Sequence, residues 1–230
     1  MNNIEKVQNI DCVEFMKQFP DKYFDIAIVD PPYGINVAGG KFARTGNQAK
    51  CGDYTIKDWD TKAPDETYFN ELFRVSTFQI IWGANHFISR IPYNATCWVV
   101  WDKDNTENDF ADCELAWTNF KLAVKKFKFR WAGMLQQNMR YKEVRIHPTQ
   151  KPVALYSWLL KKFGKFTSEN KRILDTHIGS GSSRIACYDA GFEFYGTELD
   201  KEYFDLMNKR FQKHLDSKSD LTSKENLFEL

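Results

Sequence analysis

Short apolar runs broken by glycine and proline dominate the chain, and they read as buried strands. FDIAIV at 24–29 ends at Asp30-Pro31-Pro32, where proline stops both helix and strand pairing. FQIIW at 78–82 and TCWVVW at 96–101 have the same character. Helical spacing appears between them. Cys12, Phe15, Met16 and Phe19 predict a helix over 12–19, and Phe69, Leu72 and Phe73 predict one over 65–75. Pro152 suits the first turn of a helix carrying Leu155, Trp158, Leu159 and Phe163. Residues 164–171 are a polar linker. RILD at 172–175, the turn Gly179-Ser180-Gly181, a helix over 182–189 and a strand over 192–197 closed by Glu198 then form one βαβ unit. Such a unit requires a parallel sheet, so the fold class is α/β.

The 230 residues suit a single domain over 1–214, followed by a frayed polar tail over 215–230. Five glycines between 34 and 59, with few apolar runs, predict a long mobile loop there. Hydrophobic residues make up 43% and charged residues 27%, which excludes disordered and collagenous classes. No apolar run reaches the ~18 residues of a membrane span, and the start MNNIEKVQN is not a signal peptide. Five scattered cysteines without a CxxC argue against a zinc site or disulfide framework, and for a cytoplasmic setting. No cluster has metal-ligand spacing, so no metal is expected.

The net charge of +1 hides an asymmetry. Lys121, Lys125, Lys126, Lys128, Arg130, Arg140, Lys142 and Arg145 face the single acid Glu143 within 121–147, leaving +7 there. This block is either a surface for a polyanion or a solvated face. Within it, KFKFRW at 126–131 reads equally as a half-buried strand or a nucleic-acid surface.

Three strings carry candidate chemistry. Asp30-Pro31-Pro32-Tyr33-Gly34 stands at a strand's carboxyl end, where open α/β sheets bind ligands. Asp30 offers acceptor oxygens, the prolines fix a carbonyl, and Tyr33 offers a flat face, a set suited to a planar ligand with an exocyclic amine. In Asp175-Thr176-His177-Ile178-Gly179-Ser180-Gly181, glycine lets the backbone approach a ligand, and Glu198 can accept two ribose hydroxyls. This points to a nucleoside cofactor; NAD is disfavoured because Arg184 breaks the GxGxxG pattern. His147-Pro148-Thr149-Gln150-Lys151-Pro152 reads as a turn leading into a helix. Asp11 with Glu14 reads as a capping box.

The strand–DPPY string resembles the catalytic motif of the amino-methyltransferases, and DPPY is most typical of those acting on adenine N6. The glycine loop resembles their cofactor loop DPFxGSG, with Thr176-His177 in place of Pro-Phe; His177 is there a cofactor-lining or a packing residue. HPTQKP resembles the segment that contacts the methionine end of the cofactor. The motif order resembles the circularly permuted β-class, over roughly residues 4–210, and the small phage and prophage enzymes in particular. The resemblance implies a Rossmann-like fold with a seven-stranded-type, mostly parallel sheet and helices on both faces. It implies S-adenosylmethionine as cofactor and double-stranded DNA as partner, in a bacterial or phage-infected cell. Asp30, Pro31, Pro32 and Tyr33 are then expected to hold the target amine and base. Asp11, Thr149, Gln150, Lys151, Asp175, Thr176, His177, Gly179, Gly181 and Glu198 are expected to line the cofactor, Lys151 pairing with its carboxylate. Lys125, Lys126, Lys128, Arg130 and Arg140 are expected on the nucleic acid, in a small target-recognition segment over 119–146. So small a segment implies a short recognition site or a homodimer sharing the contacts. Cytosine-N4 methylation, RNA adenine methylation and a non-catalytic nucleic-acid scaffold are the alternatives.

Overall fold

The structure, a computed structural model, describes residues 5–35, 61–105, 111–132 and 135–227. The loop expected over 34–59 lies outside these residues from 36 onward.

Among the described residues, eight strands form one sheet: β1 (Val7–Gln8), β2 (Phe24–Val29), β3 (Ser76–Trp82), β4 (Trp98–Asp102), β5 (Cys113–Thr118), β6 (Lys125–Lys128), β9 (Arg172–Asp175) and β10 (Glu193–Thr197). Their order is β1-β10-β9-β2-β3-β5-β4-β6, and β5 alone runs against its neighbours. A separate two-stranded ribbon pairs β7 (Trp131–Ala132) with β8 (Leu135–Gln136). The expected mostly parallel sheet is present, with one strand more than the seven-stranded type.

Helices cover both faces because the strands are apolar on both sides. Ile26 and Ile28 of β2 join the cluster under α3 (Val153–Phe163) and α4 (Ser182–Asp189). Ala27 and Val29 join the opposite cluster under α1 (Cys12–Met16) and α2 (Glu66–Val75). From β2 the chain crosses through α2 to β3; from β9 it crosses through α4, on the other face, to β10. β2 and β9 are neighbours, so the two crossovers diverge between them. This is a topological switch point, the place where open α/β sheets bind ligands.

Several expectations shift at the ends of elements. The first helix closes at Met16, three residues early, and turns bonded Gln18 to Phe15 and Phe19 to Met16 lead into Pro20. Asp11 caps it through Val13 N and Glu14 N, but Glu14 pairs with Lys17 instead of completing a capping box. Pro152 is the N-cap of α3 rather than a first-turn residue. The expected tail is helical instead: α5 runs from Lys201 to Leu227. No helix among the described residues is long and apolar enough to cross a membrane.

Candidate functional site

Asp30 follows the end of β2 at this switch point. Its Oδ1 accepts from the Tyr33 hydroxyl at 2.8 Å, and its Oδ2 accepts from Lys151 Nζ at 2.5 Å. Lys151 sits just before α3 and reaches Glu114 Oε2 on β5 at 3.0 Å. Glu114 Oε1 in turn pairs with Lys103 at 2.5 Å. Burial pushes the Asp30 carboxyl up against the opposing pull of Lys151. Burial opposes the Lys151 charge too, but Asp30 and Glu114 outweigh it and raise the ammonium's pKa. Burial would lift Glu114, yet Lys151 and Lys103 together bring it down to about 2. Lys151, expected to line the cofactor, is thus paired with Asp30 and Glu114.

The Tyr33 ring is fixed from two directions. It stacks on His86 at 4.8 Å with 14° between planes, so one face is covered. It also packs against Gly83, at φ +65°, where a Cβ would come within 2.0 Å of the ring. Pro31 is buried and Pro32 partly so, which anchors the turn that aims Asp30.

The second wall is the loop after β9. Asp175 accepts from His177 N at 3.0 Å and from the Ser183 hydroxyl at 2.6 Å. Burial, the largest influence, lifts its carboxyl to about 7 over those hydrogen bonds, and the negative charges of Asp30 and Glu198 add to the rise. Thr176 Oγ1 bonds Tyr68 OH at 2.7 Å and His177 Nδ1 at 2.9 Å. His177 lies edge-on to Tyr68, and burial brings it down to about 4, so it is neutral at pH 7. Glu198 takes Gly179 N at 2.9 Å on one oxygen and Asp200 N at 2.9 Å on the other. Burial raises its pKa, and these backbone donors oppose the rise. A Cβ on Gly179 would rest against the His147 ring at 3.8 Å, an ordinary van der Waals contact. Gly181 is packed against Met207.

The HPTQKP segment mostly builds its own loop. His147 is buried edge-on to Tyr203, and its Nδ1 lies 3.3 Å from Thr149 N and 3.1 Å from Thr149 Oγ1. Gln150 holds the chain from both sides, accepting from Ile146 N and donating to Val144 O. Arg210 of α5 then ties this region to the glycine loop through Glu143 Oε2 at 2.7 Å, Ser180 O at 2.8 Å and Ser182 Oγ at 2.9 Å.

The expected nucleic-acid residues divide into two groups. β6 is a sheet edge whose Phe127, with Phe129 beyond it, packs on the core, so KFKFRW takes the half-buried strand of its two readings. Lys126 pairs with Asp102 at 3.3 Å, while Lys128 and Arg130 pair with Asp104 at 2.7 and 2.8 Å. Arg140 and Lys142 have no carboxylate partner among the described residues; Arg140 lies over Tyr141, which is 72% exposed. Sequence reasoning missed Glu114, Lys103, Gly83, His86 and Arg210. A lone acid within an apolar run such as CELAW was the one available signal, for Glu114.

Residues 100–209 match the N6/N4 methyltransferase family described as DNA methylase. The match contains Glu114, Lys151, the glycine loop and Glu198, and it begins after Asp30. The chain is 24% identical to the type II methyltransferase M.HinfI of Haemophilus influenzae, across 88% of this chain and 67% of that protein. Its fold resembles that of M1.HpyAVI in complex with SAM, with a TM-score of 0.52 and 21% identity over 89% of this chain and 98% of the other. It also resembles the cytosine-N4-specific PvuII DNA methyltransferase, with a TM-score of 0.56 and 11% identity over 91% and 89% of the two chains. The architecture is thus a Rossmann-like methyltransferase fold.

Proposed function

We propose that this protein is a DNA methyltransferase that moves a methyl group from S-adenosylmethionine to the N6 amine of an adenine turned out of the duplex. The observation that carries the reading is the position of Asp30: a partly buried carboxylate at the switch point, on the strand beside β9, whose glycine loop is held through Gly179 N by a second carboxylate, Glu198.

The residues present fit such a cofactor. Asp30, Asp175 and Glu198 lie close enough that the first and last raise the proton affinity of Asp175. A sulfonium cation relieves that repulsion. Glu198, each oxygen holding one N–H bond, keeps lone pairs for ribose hydroxyls. The cofactor supplies an electrophilic methyl group, and the chain supplies the rest. Asp30 accepts an N–H of the target amine, localising a lone pair that the ring otherwise withdraws. In-line placement then lowers the barrier, because positioning replaces a chance encounter. Extruding the base costs about a few kcal/mol. Stacking on Tyr33 in place of His86 returns roughly 1–3 kcal/mol. Arg140, Lys142 and Lys125, without a carboxylate partner among the described residues, offer charge to the phosphates.

The test is methylation of unmodified DNA with radiolabelled S-adenosylmethionine, followed by nucleoside digestion and mass spectrometry. N6-methyladenine is the expected product. N4-methylcytosine would replace the adenine assignment, label in RNA alone would replace DNA, and no label with no cofactor binding would return the chain to a scaffold.

A further inference from the structure

Four side chains of alternating sign run away from the acceptor carboxylate in a line: Asp30, Lys151, Glu114 and Lys103. They come from four separate places: the end of β2, the loop before α3, strand β5 and the residue after β4. All are sheltered, with Lys151 5% exposed and Glu114 22% exposed. An Asp30–Lys151 pair alone is already neutral. The second pair, Glu114 with Lys103, adds two more partly buried charges, which is costly unless they do something else. What they change is the position of one ammonium. Lys151 donates to Asp30 at 2.5 Å and to the Tyr33 hydroxyl at 3.5 Å, while Glu114 Oε2 stands 3.0 Å from the same ammonium as an ion pair.

We propose that Glu114 is a positioning residue for the methyl transfer: by holding the far side of Lys151, it keeps that ammonium from neutralising Asp30 outright and leaves Asp30 a strong acceptor for the target amine. The inference rests on the methyltransferase reading above. Among the described residues, the groups facing Asp30 are few. Tyr33 donates to it from its own turn, Lys151 from the loop before α3 and Glu114 across Lys151 from β5. Tyr156 of α3, Tyr68 of α2 and Asp175 of β9 lie within electrostatic reach, and the Trp82 ring of β3 lies 5.6 Å from Lys151. Of these, only Asp175 and Glu114 add negative charge, and only Glu114 touches Lys151. The negative charge of Glu114 favours a proton on Asp30, in the same direction as burial. With that charge removed, Lys151 moves wholly onto Asp30, which becomes more acidic and a weaker acceptor.

Glu114→Gln keeps the size and removes the charge. Two readouts follow it: the Asp30 carboxyl titration by carbon NMR, which needs no turnover, and the pH profile of kcat. In the variant the Asp30 midpoint is expected to fall by about one pH unit, carrying the acid limb of kcat with it, and kcat at neutral pH to fall about tenfold. Cofactor affinity stays unchanged, and Glu114→Asp restores part of kcat. Lys103→Met frees Glu114 to hold Lys151 harder, so its Asp30 midpoint moves upward; this second variant decides the matter if the first does not fold. An unmoved midpoint in an active protein overturns the role of Glu114, as does a kcat loss uniform across pH. A moved midpoint in a protein whose wild type transfers no methyl group leaves the charge network standing and defeats the methyltransferase reading instead.

Discussion

Asp175 carries a cost that rises with pH, and replacing it by asparagine should remove that cost. The carboxyl is 1% exposed, and burial lifts it from 3.8 to about 7. The folded protein therefore binds its proton more tightly than the unfolded chain does. Stability from this group is complete below pH 3.8, falls between 3.8 and about 7, and stays low above. About three pKa units at ~1.4 kcal/mol each give roughly 4 kcal/mol at pH 8, against the ~5–15 kcal/mol that holds a domain together. Asparagine can keep both contacts, its carbonyl accepting from His177 N and its amide donating to a reoriented Ser183 hydroxyl. Asp175→Asn should thus gain stability over the wild type on going from pH 5 to pH 8, by a few kcal/mol. Urea unfolding of both proteins at the two pH values measures it. His177 loses stability in the opposite sense, as pH falls from 6.5 to about 4, but it is present in both proteins and cancels in the difference. An identical pH dependence in the two proteins would refute the reasoning. A sulfonium bound nearby should also expel the Asp175 proton, so calorimetry at pH 6 should detect proton release on cofactor binding.

Three further outcomes are expected. Asp30→Ala should abolish methyl transfer, by about a thousandfold or more, while calorimetry shows that the cofactor still binds, with a far smaller loss of affinity. Gly83→Ala places a Cβ 2.0 Å from the Tyr33 ring at a φ of +65°, so it should destabilise by about 1–3 kcal/mol in thermal unfolding and release Tyr33 from His86. In DNA binding against salt, replacing Arg140 and Lys142 by Gln should flatten the log–log slope by about 0.9 for each phosphate that is no longer neutralised. Replacing Lys126 and Lys128 should flatten it less, because Asp102 and Asp104 already hold them; the reverse ranking would place the DNA on the β6 edge.

The sequence alone determined those parts of the protein that depend on neighbours in the chain. The strand FDIAIV is present at the expected residues because an apolar run stopped by Pro31 and Pro32 has no other low-energy state. The glycine loop and its helix over 182–189 were legible for a related reason: Gly179 and Gly181 adopt positive φ, which other residues resist. Asp11 as a cap was equally local. The tertiary structure decided what lay far apart in sequence. Lys151 meets Asp30 across 121 residues, and their meeting with Glu114 requires β5 to lie beside β3, in antiparallel register with both β3 and β4. No spacing rule in the chain encodes that order. The covering of Tyr33 by His86 likewise depends on the turn after β3 reaching the end of β2. The basic block shows the same limit, since counting charge over 121–147 gave its sign but not its partners. Asp102 and Asp104 take up Lys126, Lys128 and Arg130 because β4 and β6 run side by side, and electrostatics act through space rather than along the chain.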